Sequence, residues 1–299
     1  MKSTILIARS YGQPDVLEFL DQDLPPLAAG MARIEVKAAG INPIDARRMT
    51  GEFRHAPLPQ GFGAEFAGVI VDLPASTEGW KVGDEVLGSG AGFTHATVID
   101  VPLANLVARP KSVDWAVAGS LAGVAQTAVT ILDEVGDVGS LLIHGASGGV
   151  GSITVQLARA RGIDVVATAS ARNHGYLIEL GATPVEYGPG LIERLEAAHP
   201  APFDASLDMS GTEQATQASL ARVKPDGLIG SIAGVPLSSD RVRALWTKRS
   251  PAKLKTVVDG VAAGRFRWEV SKTYPFADAA EAFRAILAGH TRGKTALVF

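Results

Sequence analysis

The sequence predicts an α/β protein: a doubly wound parallel-sheet domain together with a smaller antiparallel, barrel-like β domain. Three observations carry this reading. Up to about residue 110 the chain breaks into short strand-like runs separated by Gly, Pro and Asp; from about Asp114 longer helical patterns alternate with compact apolar runs; after about Gly264 strand-like segments return.

In the first stretch the predicted strands are Thr4–Arg9, Ala32–Ala38, Phe66–Asp72, Glu85–Gly88 and Thr94–Val101. In the second they are Leu141–His144, Val165–Thr168, Thr183–Tyr187, Ala205–Asp208 and Leu228–Ile232, spaced to admit a crossover helix between neighbours. The tail reads as a strand over Trp268–Tyr274, a helix over about Ala277–Ala288, and a closing strand over Lys294–Phe299 that rejoins the first domain. In that helix Phe276, Ala280, Phe283 and Leu287 recur at helical spacing, Asp278 complements the dipole at its start, and Gly289 stands at the C-terminal cap. The expected domains are therefore residues 1–113 plus 265–299, and residues 114–264.

Composition bounds the function. With 46% hydrophobic and 20% charged residues over 299 positions, the chain can bury enough apolar surface to fold alone. A net charge of -3 lacks the basic excess expected of a nucleic-acid or membrane-surface binder. The absence of cysteine rules out disulfides, thiolate nucleophiles and cysteine-ligated zinc or iron–sulfur clusters. No His and carboxylate spacing suggests another metal site. No apolar run approaches the roughly 18 residues of a membrane span, and the start resembles no signal peptide, so a cytoplasmic location is expected.

The most informative segment is Leu141-Leu-Ile-His-Gly-Ala-Ser-Gly-Gly-Val-Gly151 and the helix that follows it. An apolar strand runs into Gly145, Gly148, Gly149 and Gly151, after which Val150, Ile153, Thr154, Leu157 and Ala158 trace one helical face. Glycine permits the tight turn, lets backbone N–H groups approach a pyrophosphate, and lets the helix pack closely on the strand. With the strand before it and the amphipathic helix after it, the segment reads as a dinucleotide-binding turn. Specificity is set at the end of the next strand, where an acid would hold the ribose hydroxyls of NAD. Here Val165-Val-Ala-Thr-Ala-Ser-Ala-Arg172 has none; Ser170 and Arg172 offer a hydroxyl and a fixed cation that suit a 2′-phosphate, which favours NADPH.

These motifs occur in order with Gly40-Ile-Asn-Pro-Ile-Asp45, Lys81-Val-Gly-Asp-Glu-Val86, Asn105-Leu106 with Pro110, Ser231-Ile-Ala-Gly234 and Arg292-Gly-Lys294. Together they resemble the medium-chain dehydrogenase/reductase superfamily, and within it the zinc-free quinone oxidoreductase (zeta-crystallin-like) branch. The resemblance implies a GroES-like barrel completed by the C-terminal tail, a Rossmann domain, NADPH in the cleft between them, and a homodimer. It implies roles for Asn42 and Thr127 beside the nicotinamide, for Ser147, Gly148, Gly149, Val150 and Gly151 at the phosphates, and for Tyr187 on the adenosine side. It assigns Ile232, Ala233 and Gly234 to the carboxamide, and Lys294 to the cofactor site.

Three departures stand out: Arg47 where many quinone reductases carry tyrosine, polar Gln126 in Val124-Ala-Gln-Thr-Ala128, and a shorter chain between Gly234 and Trp268. Asp45, Arg47, His55 and His95 are the polar groups expected to face the substrate, with Arg47 able to stabilise a developing enolate or hydroquinone oxygen. The expected activity is zinc-independent hydride transfer from NADPH to a small electrophile, a quinone or an α,β-unsaturated carbonyl compound. An enoyl-thioester reductase and a non-catalytic NADPH-binding redox sensor are the competing readings.

Overall fold

In the computed structural model, which describes every residue except His55, Ala91 and His290, the chain forms two compact units. One comprises Met1–Gly123, Ser250–Arg265 and Glu269–Phe299; the other Val124–Arg249 and Phe266–Trp268. Among the described residues no helix is long and apolar enough to cross a membrane.

The first unit is built on two sheets. Lys2–Ala8 pairs antiparallel with Leu17–Asp23 and with the short Gln60–Gly61 strand. The larger sheet runs in the order Val270–Pro275, Lys294–Val298, Met31–Ile41, Glu65–Asp72, Glu85–Ser89 and Leu106–Ala108, with Val98–Pro102 also pairing Met31–Ile41. All its pairs are antiparallel except that between Val270–Pro275 and Lys294–Val298. The C-terminal strand thus lies in the sheet of the N-terminal region, with Thr295 opposite Ile41 and Leu297 opposite Ala39.

Leu17–Asp23 escapes sequence analysis because it is an edge strand whose residues stay largely in solvent, so it carries no clean apolar alternation. The strand expected from Thr94 begins only at Val98, because Thr94 and His95 are held against Gly63 and Phe62 and Ala96 makes only an isolated bridge to Ile5. The C-terminal helix spans Ala279–Ala288 after a 3₁₀ turn at Phe276–Asp278. That turn rotates the inward stripe to Ala279, Ala282 and Phe283 and leaves Leu287 38% exposed, which corrects the expected face. Phe283 meets Phe62 edge to face at 5.4 Å in a core that also holds Met49, Ile41 and Leu297. Each such fully buried aromatic side chain contributes about 1.5–3 kcal/mol.

The second unit is a six-stranded, fully parallel sheet formed by Ser140–His144, Asp164–Ala169, Thr183–Glu186, Phe203–Asp208, Val223–Ser231 and Arg243–Ala244. Counted along the chain, the strands lie in the order third, second, first, fourth, fifth, sixth. This is the doubly wound order whose direction reverses beside the first strand, where a loop can hold a ligand over the carboxyl ends of the strands. The strands read as near-continuous apolar runs because helices cover both faces; Leu141, Leu142 and Ile143 are all fully buried. The sixth strand was not predicted, since two residues carry no periodicity.

Candidate functional site

The phosphate-binding candidate begins where Ser140–His144 ends. Gly145 has φ 71°, and Ala146 N–H donates to Thr168 O at 3.2 Å, tying the turn to the end of the neighbouring strand. Gly148 then caps the helix Gly149–Ala160 in extended conformation. The first-turn N–H groups of Gly149, Val150 and Gly151 have no intrahelical acceptor and aim at the space above the strand ends. A Cβ on Gly151 would lie 2.6 Å from Gly145 O and from Ala146 Cα, so only glycine lets this helix start directly on the turn.

The residues expected around that turn gather at the same sheet edge. Asn173 donates from Nδ2 to Ser147 Oγ at 3.1 Å and to Ser170 Oγ at 3.2 Å, joining the glycine turn to the end of Asp164–Ala169. Arg172 lies exposed in the 3₁₀ turn between them. Ile232 N–H donates to Asp208 O, and Ala233 N–H to Ser231 Oγ; Gly234 follows with φ 65°. The Asp208 carboxylate accepts from Ser210 and Gly211 N–H, and a Cβ on Gly211 would stand 2.7 Å from that of Ala233. The loops after the first, fourth and fifth strands therefore frame one mouth. Tyr187, 48% exposed, directly follows the third strand. Thr127, on the helix Ala122–Val135, shares a 2.6 Å hydrogen bond with Thr247.

Asn173 and Asp208 escaped sequence analysis; the one follows an exposed arginine and the other closes an apolar strand. Beneath the turn, His144 is fully enclosed between Thr168 Oγ1 at 3.0 Å and Ser219 Oγ at 3.2 Å. Burial pushes its pKa down to about 4, although the charge of Asp208 opposes this.

In the other unit, Asn42 caps the helix Pro43–Thr50, and its N–H donates to Asp45 Oδ2 at 2.9 Å. The Asn42 amide is held at both ends. Nδ2 donates to Glu65 Oε1 at 3.0 Å, and Oδ1 accepts from Lys294 Nζ at 2.6 Å. Lys294 and Glu65 form an ion pair at 2.9 Å with side chains 6% and 0% exposed. Lys294 also donates to Ile41 O at 2.8 Å, and Glu65 Oε2 accepts from Gly123 N–H at 2.6 Å. Every proton of the ammonium is thus used, the condition under which a buried pair is tolerated. Gly40 belongs to the same arrangement: a Cβ there would meet Glu65 Oε1 at 2.3 Å. Glu65 went unnoticed in the sequence, although a lone carboxylate inside the apolar run Gly61–Ile70 was a usable signal.

Asp45 and His95 are engaged locally. Asp45 Oδ1 accepts from Gly63 N–H at 3.1 Å. His95 Nε2 faces Gly40 O at 3.0 Å, which can only accept, so the ring proton sits on Nε2. Burial lowers the His95 pKa and nearby Asp45 opposes the shift. Arg47 reaches Glu52 at 3.7 Å. His55 lies outside the described residues. Among the described residues no group of His, Cys, Asp or Glu has the arrangement to hold a metal ion.

Two known families match the chain: an alcohol dehydrogenase GroES-like domain over residues 28–134 and a zinc-binding dehydrogenase over residues 180–297. The mitochondrial NAD(P)H oxidoreductase RTN4IP1 of Homo sapiens is 27% identical over 99% of this chain and 90% of its own. The chloroplastic NADPH-dependent alkenal/one oxidoreductase of Arabidopsis thaliana is 28% identical over 95% of this chain and 76% of its own. Among solved structures, the quinone oxidoreductase from Coxiella burnetii superposes with a TM-score of 0.90 at 27% identity, covering 100% of both chains.

Proposed function

Because the chain belongs to the medium-chain dehydrogenase/reductase superfamily, as a quinone oxidoreductase-like protein, we propose that it is a zinc-independent reductase acting on quinones or α,β-unsaturated carbonyl compounds with NADPH. The observation that carries this reading is the glycine turn Gly145–Gly151 at the reversal point of the parallel sheet, joined through Asn173 to Ser170 beside Arg172. The names of the alkenal/one and quinone oxidoreductase relatives support the acceptor class.

The donor set fits the dinucleotide. Gly149, Val150 and Gly151 N–H with Ser147 would hold the pyrophosphate; Ser170 and Arg172 the 2′-phosphate; Tyr187 the adenosine; Ala233 and Gly234 backbone, with Thr127, the carboxamide side. Bound NADPH supplies the hydride. Asn42 supplies an oriented amide: with one N–H committed to Glu65 and Oδ1 engaged by Lys294, its second N–H remains to position the reacting partners. The His95 proton is committed to Gly40, and solvent can supply the proton completing reduction without a dedicated acid. The zinc-free reading is supported by a chain without cysteine.

The test is NADPH and NADH oxidation followed at the nicotinamide absorbance against quinones, enones and enoyl thioesters, with direct binding of both cofactors. NADPH-selective turnover of a quinone or enone is expected. Tight NADPH binding with no turnover across the panel would replace the reductase with a cofactor-binding protein.

A further inference from the structure

Among the described residues Arg48 is a buried cation that no carboxylate pairs. It lies on the helix Pro43–Thr50, six residues past Asn42, and is 7% exposed. Its Nη2 donates to Gly61 O at 3.1 Å, and the guanidinium carbon stands 5.9 Å from the centre of the Phe62 ring. Nε is buried with no hydrogen-bond partner. The neighbouring cations Arg47 and Lys294 pair with Glu52 and Glu65, but among the described residues no carboxylate is paired with Arg48.

Arginine is almost never buried unpaired, because removing its charge from water without a counter-charge is strongly unfavourable. The C-terminal end of its own helix and the Phe62 ring offset part of that cost. Neither satisfies Nε, and neither supplies a full negative charge. Gly92 stands beside the guanidinium: a Cβ there would sit 3.6 Å from Nη1, in contact with it.

We propose that Arg48 is an anchoring residue for a carboxylate carried by the substrate, so that the preferred acceptors are anionic. A carboxylate matches the planar fork of the guanidinium and completes its unused donors. Six helical residues separate Arg48 from Asn42, a rise of about 9 Å along the axis, so an acceptor reaching both would carry its acid remote from its reducible carbonyl. The identity of the anion as an acceptor group rests on the reductase reading; the anion site itself rests only on the surroundings of Arg48.

The experiment compares an enone bearing a carboxylate with its methyl ester in the full-length protein and in Arg48→Met and Arg48→Lys. It adds calorimetric binding of the saturated, non-reducible acid and thermal denaturation of each variant. The wild type should favour the acid at least tenfold in kcat/KM, mostly through KM. Arg48→Met should erase that preference and melt no lower than the wild type, and Arg48→Lys should retain part of it. Equal use of acid and ester by the wild type, or an undiminished preference in Arg48→Met, would overturn the proposal. If neither compound is reduced, acid binding that Arg48→Met abolishes keeps the anion site while the reductase reading fails; no binding to the wild type removes the site. Should Arg48→Met fail to fold, Arg48→Lys decides: an undiminished preference refutes the bidentate anchor.

Discussion

Lys294 Nζ donates to Asn42 Oδ1 at 2.6 Å, so the last strand of the chain sets the orientation of an amide more than two hundred residues earlier. The same ammonium neutralises Glu65, and removing it would leave a carboxylate buried and unpaired. Lys294→Met should therefore cost about 3–5 kcal/mol in chemical denaturation. The double variant Glu65→Gln, Lys294→Met should recover a substantial part. A single variant as stable as the wild type would refute this account of the pair.

Arg172→Ala should weaken NADPH binding at least tenfold and NADH binding by much less, because only NADPH carries the 2′-phosphate. Asn173→Ala should weaken both, since it releases Ser147 as well as Ser170. Fluorescence titration of each cofactor checks this; equal losses in Arg172→Ala would remove the phosphate role.

Gly151→Val forces side-chain atoms into Gly145 O and Ala146 Cα, already 2.6 Å from the Cβ position. The helix must shift away from the turn, at a cost of about 1–3 kcal/mol in stability. Binding of both cofactors should fall together, and retention of tight binding would show that the helix start does not hold the phosphates.

Acid should destabilise the fold before its carboxylates titrate. His144 and His95 are buried and resist protonation in the folded state, while an unfolded histidine takes up a proton near pH 6.5. Below that pH the unfolded chain binds more protons, so stability falls as pH drops, and for His144 the loss continues until about pH 4. The full contribution of His144 is on the order of 3 kcal/mol. Urea midpoints between pH 7.5 and 4.5 measure the slope, which should be shallower in His144→Gln; an unchanged slope would acquit this histidine.

The turn Gly145–Gly151 was legible because its pattern is local: strand, glycines and helix are adjacent in the chain, and Gly151 answers to Gly145 and Ala146 a few residues before it. Ser170 and Arg172 were proposed for the same reason, standing a fixed distance beyond that turn. Asn173 was not, because its meaning lies in two hydroxyls that only the fold brings to it. Leu17–Asp23 and Arg243–Ala244 left no periodic trace, the first being solvated and the second only two residues long.

By itself the sequence determined the fold class, the glycine turn between strand and helix, the absence of cysteine chemistry and the identity of Asn42 as a candidate. These depend on residue types and short spacings, which local sterics and hydrogen bonding translate directly into structure. Only the tertiary structure decided that Asn42 is held between Glu65 and Lys294, that His95 donates its proton to Gly40, and that Arg48 is buried with no carboxylate paired to it among the described residues. Burial and charge pairing are properties of surroundings assembled from distant strands, and a side chain's electrostatic role exists only once those surroundings have closed around it.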